Sequence, residues 1–336
     1  MQQNKFSIIL PVRNGGHHVK ECINSILSQT YTCFNLIVLD NCSTDGTTQW
    51  ISDLKEERIK IIPALTPLTI EENWARIKKV QKNEFITLIG HDDILAPDYL
   101  QVMNNLILQN PKASLYQSHF TYINSKGDFL RQCKPMPAHQ TANQFLKLFL
   151  NNSIDIMGTG FMMRSKDYDA IGGIPPYPNL LFADLELWYK LTQLSYMVIA
   201  PVVSFSFRLH QSTTRTTSDE NLLNAFDRMI HFLEKIKKED DQVEKIIKEN
   251  AITFIHYYCR SVSHRLLRTP KNRRRGITVS GVIKRCKTFA DILLPGNNYQ
   301  PLADGKVKLA LYIDSNLLAR QFFLLFKKLY SKPVYR

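Results

Sequence analysis

The chain has 336 residues, 44% apolar and 22% charged, and a formal net charge of +13. That length suits one large domain or two ordinary ones, and the composition is that of a soluble globular protein, which excludes a disordered chain. The charge is uneven: residues 1–230 carry 21 basic and 21 acidic side chains, whereas residues 231–336 carry 22 against 9. The basic excess lies wholly in the last third and predicts a polyanionic partner there, a membrane surface or a nucleic acid.

FSIILPV (6–12) is a β-type run that stops at RNGG. HHVKECINSILSQT follows as an amphipathic helix with Val19, Cys22, Ile23, Ile26 and Leu27 on one face. FNLIVLD (34–40) is the second strand, and NCSTDGT is a turn that supplies capping residues. TTQWISDLKEE reads as helix, RIKIIP as a short strand, IEENWARIKKVQK as helix and EFITLI as strand. PDYLQVMNNLILQ is helix and ASLYQSHF strand again. This alternation predicts βαβ units and a mainly parallel sheet, its strands almost wholly apolar because both faces are covered.

From about residue 120 the pattern changes. YINSKGDFL predicts a hairpin around Lys126-Gly127, ANQFLKLFL a helix, and MGTGFMMRSKDYDAIGGIPP a turn-rich stretch. LLFADLELWYKLTQL is helix and YMVIAPVVSFSFRLH strand. Beyond 218 the signal is almost all helical, interrupted by the basic loop RTPKNRRRG (268–276). The six cysteines form no C-x-x-C pair and read as reduced thiols of a cytosolic protein. The N-terminal residues lack the basic start of a signal peptide, and no window of about 18 uninterrupted apolar residues predicts a spanning helix.

In open α/β sheets ligands bind beyond the carboxyl ends of the strands. Three such ends carry polar clusters here: Arg13-Asn14, Asp40-Asn41 and His91-Asp92-Asp93. Asp92 and Asp93 suit a hard divalent cation, Mg²⁺ or Mn²⁺, with a bound diphosphate completing the shell; the competing reading is that Asp93 caps the helix near Pro97. Asp40 suits a ribose or base, or an Asx turn in DNCSTDG. Neither G-x-G-x-x-G nor G-x-x-x-x-G-K-[ST] occurs, so neither a dinucleotide fold nor a P-loop is indicated.

Five stretches in order, SIILPVRNGGHHVKECINSILSQTY, LIVLDNCSTDGT, EFITLIGHDDILAPDYL, GGI and FADLELWYKL, resemble the family 2 glycosyltransferases over roughly residues 5–215. The resemblance implies an α/β, GT-A (Rossmann-like), mainly parallel mixed sheet flanked by helices. That catalytic domain would span 1–217, and 218–336 would form a mostly helical, strongly basic C-terminal region. It implies an inverting hexosyltransferase that uses Mn²⁺ or Mg²⁺ and moves a sugar from a nucleotide-sugar, a UDP-sugar, to a hydroxyl of a glycan or lipid-linked acceptor in cell-surface polysaccharide synthesis. Carried over residue by residue, Pro11, Val12, Arg13 and Asn14 stand where the family packs the base. Asp40 stands at the uracil or ribose edge, and Asn73 on a donor-facing helix. Asp92 and Asp93 stand at the metal and diphosphate, Asp184 at the catalytic base, and Arg208 and His210 in a segment that reaches back to the diphosphate or metal. Two departures, Gly90 where the family has the first Asp of D-x-D and Ala183 where it has Glu, support the alternative of a non-catalytic scaffold or carbohydrate-binding protein. Absence of Q-x-x-R-W implies addition of one sugar or few. Asp184 and Glu186 also suit the first turn of a helix for its dipole alone; Glu186 reads as structural, and Gly172-Gly173 as a loop lining the acceptor side.

In the tail, Leu317, Leu318, Phe322, Phe323, Leu325, Phe326 and Leu329 stand beside Arg320, Lys327 and Lys328, with Arg273, Arg274 and Arg275 in the preceding loop. This suits peripheral attachment to an anionic membrane, on the inner face of the cell membrane, an ordinary packed helix with a solvated basic face, or homo-oligomerisation through the apolar stripe; base-reading or stacking modules for a nucleic acid are missing.

Overall fold

The computed structural model describes residues 5–209 and 217–330. They fall into two compact units, one within Met1–Phe145 and Ile154–His210, the other within Leu146–Ser153 and Gln211–Arg336.

The first unit is built on strands β1 (Phe6–Val12), β2 (Phe34–Asp40), β3 (Ile59–Pro63), β4 (Phe85–Leu88), β5 (Ile94–Leu95), β6 (Leu115–Ile123), β7 (Phe129–Gln132), β8 (His139–Gln140), β9 (Met162–Arg164) and β10 (Met197–Arg208). They form one sheet in the order β3-β2-β1-β4-β9-β6-β10-β5, with β7 on β6 and β8 on β10. β3, β2, β1 and β4 are parallel, β9 runs antiparallel to both its neighbours, and β6 and β10 are parallel. β1 is wholly buried, which is why FSIILPV shows no alternation; each such aliphatic contributes about 1.5–3 kcal/mol on burial. Because β2 pairs on one side of β1 and β4 on the other, the order of strand addition reverses at β1, the place where open α/β sheets bind ligands past their strand ends.

Helices α1 (Gly16–Leu27), α2 (Thr47–Asp53), α3 (Ile70–Ala75), α4 (Tyr99–Gln109), α5 (Ala142–Leu150), α6 (Ser165–Ala170) and α7 (Ala183–Leu194) connect the strands. The helix expected over 70–82 stops earlier. Thr69 and Glu72 form a capping box at its start, but after Ala75 the chain tightens into a 3₁₀ turn, Arg76–Lys79. Arg76 there donates to the carbonyls of Asp40 and Ile62. The stretch expected to be only turns hides β9 and α6. Three residues are too few to show a period, yet β9 joins the two parallel blocks.

The second unit holds α8 (Asp219–Lys237), α9 (Asp241–Arg268), α10 (Val279–Leu293), α11 (Gly305–Ser315) and α12 (Leu317–Tyr330). Its core is aromatic: Phe226 stacks on Tyr258 and tilts against Phe289. Ser218, Asp240, Thr278 and Asp304 cap the starts of α8 to α11. Two cations expected to face a membrane are buried instead. Arg274 (3% exposed) and Arg320 (7%) both donate to Oδ1 of Asp314, at 2.5 and 3.2 Å. Asp314 Oδ2 accepts the amide of Val279, so one carboxylate ties the turn between α11 and α12 to the loop before α10. A buried carboxylate flanked by two guanidiniums is stabilised there, and neither arginine is left for solvent. No single helix among the described residues is long and apolar enough to cross a membrane.

Candidate active site

The strand-end loops are locked by their own polar residues. Asn14 adopts a left-handed backbone (φ 52°), and its Oδ1 accepts the amide of Thr44. Thr47 Oγ1 accepts Gly15 N, and Asp45 Oδ2 accepts Gly16 N, so the loop after β2 holds the first amides of α1. Pro11 and Val12 are buried in β1, whereas Arg13 is exposed. Asp40 is 4% exposed, and both its oxygens lie 3.3–3.4 Å from Ser43 N, an Asx turn. Asn73 is buried with both ends engaged: Nδ2 donates to Leu39 O, and Oδ1 accepts from Arg76. Its side chain fixes the end of β2 directly and, through Arg76, that of β3.

Asp93 is buried, and its protein partners fix it on two sides. Thr159 Oγ1 donates to Oδ2 at 2.8 Å, and the Arg208 amide donates to Oδ1 at 3.1 Å. Burial, then the neighbouring Asp92 charge, holds its carboxyl well above the usual carboxylate range, although those hydrogen bonds oppose the shift. Asp93 does not cap α4, whose N-cap is Asp98. Both carboxylates fold back over Gly90: a Cβ there would stand 2.7 Å from Asp92 Oδ1 and 3.0 Å from Asp93 Oδ2. That is a steric reason for glycine in place of the expected aspartate.

Arg208 ends β10 and reaches this loop, but not as an open cation. Its side chain is fully buried. Nε donates to Asp92 O (2.7 Å), Nη1 to Asn124 O and Ser125 O (3.3 and 3.2 Å), and Nη2 to Glu21 Oε2 (2.5 Å). The guanidinium expected at the diphosphate is engaged here by the Asp92 carbonyl, the turn of the β6–β7 hairpin and Glu21 of α1. His210, the other expected partner, lies outside the described residues. Among the described residues no three His, Cys, Asp or Glu side chains are grouped to hold a metal ion.

Asp184 sits in the first turn of α7. Its Oδ1 accepts Leu185 N at 3.0 Å, and burial pushes its pKa up to about 6. The chain enters α7 through a constrained turn, with Asn179, Leu180 and Phe182 all at positive φ (52°, 57° and 65°). Such residues cost on the order of 1–3 kcal/mol each and persist only where surrounding bonds impose them. Glu71 of α3 accepts Asn179 N, and Tyr177 donates to Glu186, which is also paired with Lys190. Glu186 is thus a structural support one turn face away from Asp184.

One short segment joins the two carboxylate sites. Thr159 bonds Asp93; Met157 O accepts the indole N–H of Trp188, one turn after Asp184; and Phe161 stacks on Trp188 with ring centroids 4.2 Å apart. Gly160 between them has φ 76°, donates to Leu88 O, and lies so close to Phe205 that a Cβ would meet the ring at 2.9 Å. Glu21, Thr159, Glu71 and Tyr177 were not expected from the sequence. Only Thr159 left a signal there, its flanking glycines. Gly172 and Gly173 have positive φ, 93° and 76°, as their loop requires.

The mixed sheet, its strand order reversing at β1, with carboxylates beyond β4 and at the start of a later helix, agrees with the GT-A architecture that the family resemblance implied. Residues 7–172 match the family model described as Glycosyl transferase family 2. The chain is 27% identical over 248 residues to an uncharacterized glycosyltransferase of Rickettsia prowazekii, covering 71% of this chain and 76% of that one. It is 22% identical over 230 residues to the UDP-Glc:alpha-D-GlcNAc-diphosphoundecaprenol beta-1,3-glucosyltransferase WfgD of Escherichia coli, covering 68% and 86%. The fold is similar to that of S. aureus TarS 1-349 in complex with UDP, with TM-score 0.58 and 15% identity over 88% of this chain and 93% of that one. Residues 7–172 belong to glycosyl transferase family 2, and the protein is a glycosyltransferase.

Proposed function

We propose that the protein is an inverting, divalent-metal-dependent hexosyltransferase that moves a sugar from a UDP-sugar to a hydroxyl of a glycan or lipid-linked acceptor in cell-surface polysaccharide synthesis. The observation that carries this reading is Asp184: a carboxylate at a helix start, withdrawn from water until its pKa reaches about 6, with no cation paired to it in any hydrogen bond or ion pair found for it. Such a group takes up a proton near neutral pH, as a general base must. WfgD, named as a UDP-Glc:alpha-D-GlcNAc-diphosphoundecaprenol beta-1,3-glucosyltransferase, and the UDP bound to TarS support the donor and acceptor classes.

The residues at the end of β4 fit a hard cation. Asp92 stands beside the buried Asp93 and raises its pKa by like charge, and Asp93 is held on two sides by Thr159 and the Arg208 amide. Asp92, backed by Asp93, would hold Mg²⁺ or Mn²⁺, which when bound supplies positive charge for the donor diphosphate. Pro11 to Asn14 and Asp40 stand at the strand ends where the nucleoside would lie. Asp184 accepts the proton of the attacking hydroxyl, a contribution of about 10²–10⁴ in rate, and attack from the face opposite the leaving group inverts the anomeric carbon. Arg208 keeps the Asp92–Asp93 loop in place. The protein would act at the cytoplasmic face of the membrane, attached peripherally through its basic helical unit.

The test is release of nucleoside diphosphate from a panel of nucleotide sugars with Mn²⁺ or Mg²⁺, for wild type, Asp92→Ala and Asp184→Ala. One donor turned over, with loss in both variants and the product anomer inverted by NMR, is expected. Turnover that survives chelation, or survives in Asp184→Ala, would refute the metal or the base respectively.

A further inference from the structure

Beyond glycosyl transfer, the second unit carries a wide groove of about 1300 Å³ along one face of α9, closed by the loop after it and by the start of α11. Arg260, His264, Arg268, Arg273, Arg275 and Lys306 line it. The three arginines of the 273–275 run divide their work: Arg274 turns inward to Asp314, while Arg273 and Arg275 stay exposed at the groove. The carboxylates bordering it are already paired, Asp219 with a groove arginine, Arg265. Asp304 accepts from His256 and caps α11. Glu220 pairs with Arg275 at 3.4 Å, an exposed contact that contributes little. His264 Nε2 is buried with no hydrogen-bond partner, and burial together with Arg260 and Arg268 disfavours its protonation. The groove thus gathers like charges that the protein does not neutralise, an arrangement that costs stability unless an anion occupies it.

The neighbouring surface says what carries the anion. Three residues after Lys306, α11 exposes Leu309 and then Tyr312 (54% and 58%), and α12 exposes Phe322 and Leu329 (71% and 67%). α11 and α12 meet at a bend of 111°, fixed by the Asp314 cluster. A cationic groove beside an exposed apolar elbow matches an amphiphile, with a charged headgroup above an acyl boundary. A single-stranded nucleic acid would want a row of stacking rings, and the groove offers one aromatic, Tyr257. We propose that this groove is a binding site for the phosphate-bearing headgroup of a membrane lipid.

The experiment is flotation of the full chain with phosphatidylcholine vesicles with and without phosphatidylglycerol. It compares wild type, a groove variant (Arg260→Glu with Arg268→Glu) and a control of equal charge change on the outer part of α9 (Lys245→Glu with Lys248→Glu). Each cation near an anionic surface is worth about 1 kcal/mol, so the groove variant should lose more than about tenfold in partitioning and the control less than about threefold. Thermal melts confirm that both fold, and Arg268→Gln, at one exposed side chain, repeats the comparison should the double variant not fold. Equal loss in groove and control variants overturns the site. So does groove-dependent binding of inorganic pyrophosphate or of RNA without binding to anionic vesicles, which would assign the groove to a soluble ligand. The readout needs no donor sugar, so its failure leaves the transferase reading intact.

Discussion

The two carboxylate sites of the catalytic unit share a direction of pKa shift and its main cause, burial, but differ in their neighbours. Asp93 is raised by burial and then by Asp92 beside it, and it is held on two sides by Thr159 and the Arg208 amide. Asp184 is raised by burial alone, against two backbone hydrogen bonds. Two close carboxylates are destabilised by each other and relieved by a cation, whereas a solitary one is relieved by a proton. On the proposed reading the same residue type would serve two chemistries, separated by what stands next to it.

Arg208 breaks that comparison most severely, because it supports only the first site. Removing one partner of a buried ion pair costs about 3–5 kcal/mol, and here two hairpin carbonyls and the Asp92 carbonyl lose donors as well. Arg208→Met is expected to abolish detectable transfer and lower stability by that amount, read by chemical denaturation with an assay at saturating donor. Arg208→Lys keeps the charge but cannot span the four acceptors, and should rescue little of either. A variant that retains donor binding and rate would show that the guanidinium does not position the loop.

Asp184→Asn separates the sites by moving activity and stability in opposite directions. Loss of the base should lower kcat by about 10²–10⁴ with little change in donor KM. The folded-state pKa, about 6, lies above the ordinary 3.8. The native state therefore holds the proton more tightly, and this contribution is complete below pH 4 and lost as pH rises through 6. At pH 8 the ionised carboxylate is a burden, so Asp184→Asn should be more stable than wild type by on the order of 1–2 kcal/mol, with the two converging near pH 4. Melting of both proteins across that window decides it. The same group predicts that wild-type kcat falls about tenfold per unit below pH 6, a limb that Asp184→Asn would lack.

Much of this was legible in the sequence for a simple reason: β1, β2 and β4 are buried on both faces, so their apolar runs have sharp ends, and polar residues at those ends mark the place where such sheets bind ligands. Asp92 stood out by its place at a strand end, whereas the position of Asp184 followed from the family resemblance. What the sequence hid were long-range partners. Glu21 meets Arg208 across 187 positions, and Thr159 meets Asp93 across 66. No local pattern encodes such contacts. For the same reason Arg208, Arg274 and Arg320 read as available cations until their buried acceptors were seen.

Gly90→Ala tests the smallest feature of the first site, the fold of both carboxylates over one residue. A methyl group there would collide with the tips of two side chains rather than with backbone, so Asp92 can swing aside at little cost to the fold. Stability should change by less than about 1 kcal/mol, within the range of ordinary surface substitutions and small repackings. Activity should respond more, because a misplacement of about 1 Å in a positioned group costs as much as about 10²-fold. The expected loss is about 10- to 100-fold in kcat/KM, accompanied by a higher half-saturating Mn²⁺ concentration and no change in the Asp184 limb of the pH profile. If the metal requirement stays fixed while the rate falls, the carboxylates over Gly90 orient the donor rather than a cation. The difference between the two sites would then be one of substrate geometry, with no metal needed to explain it.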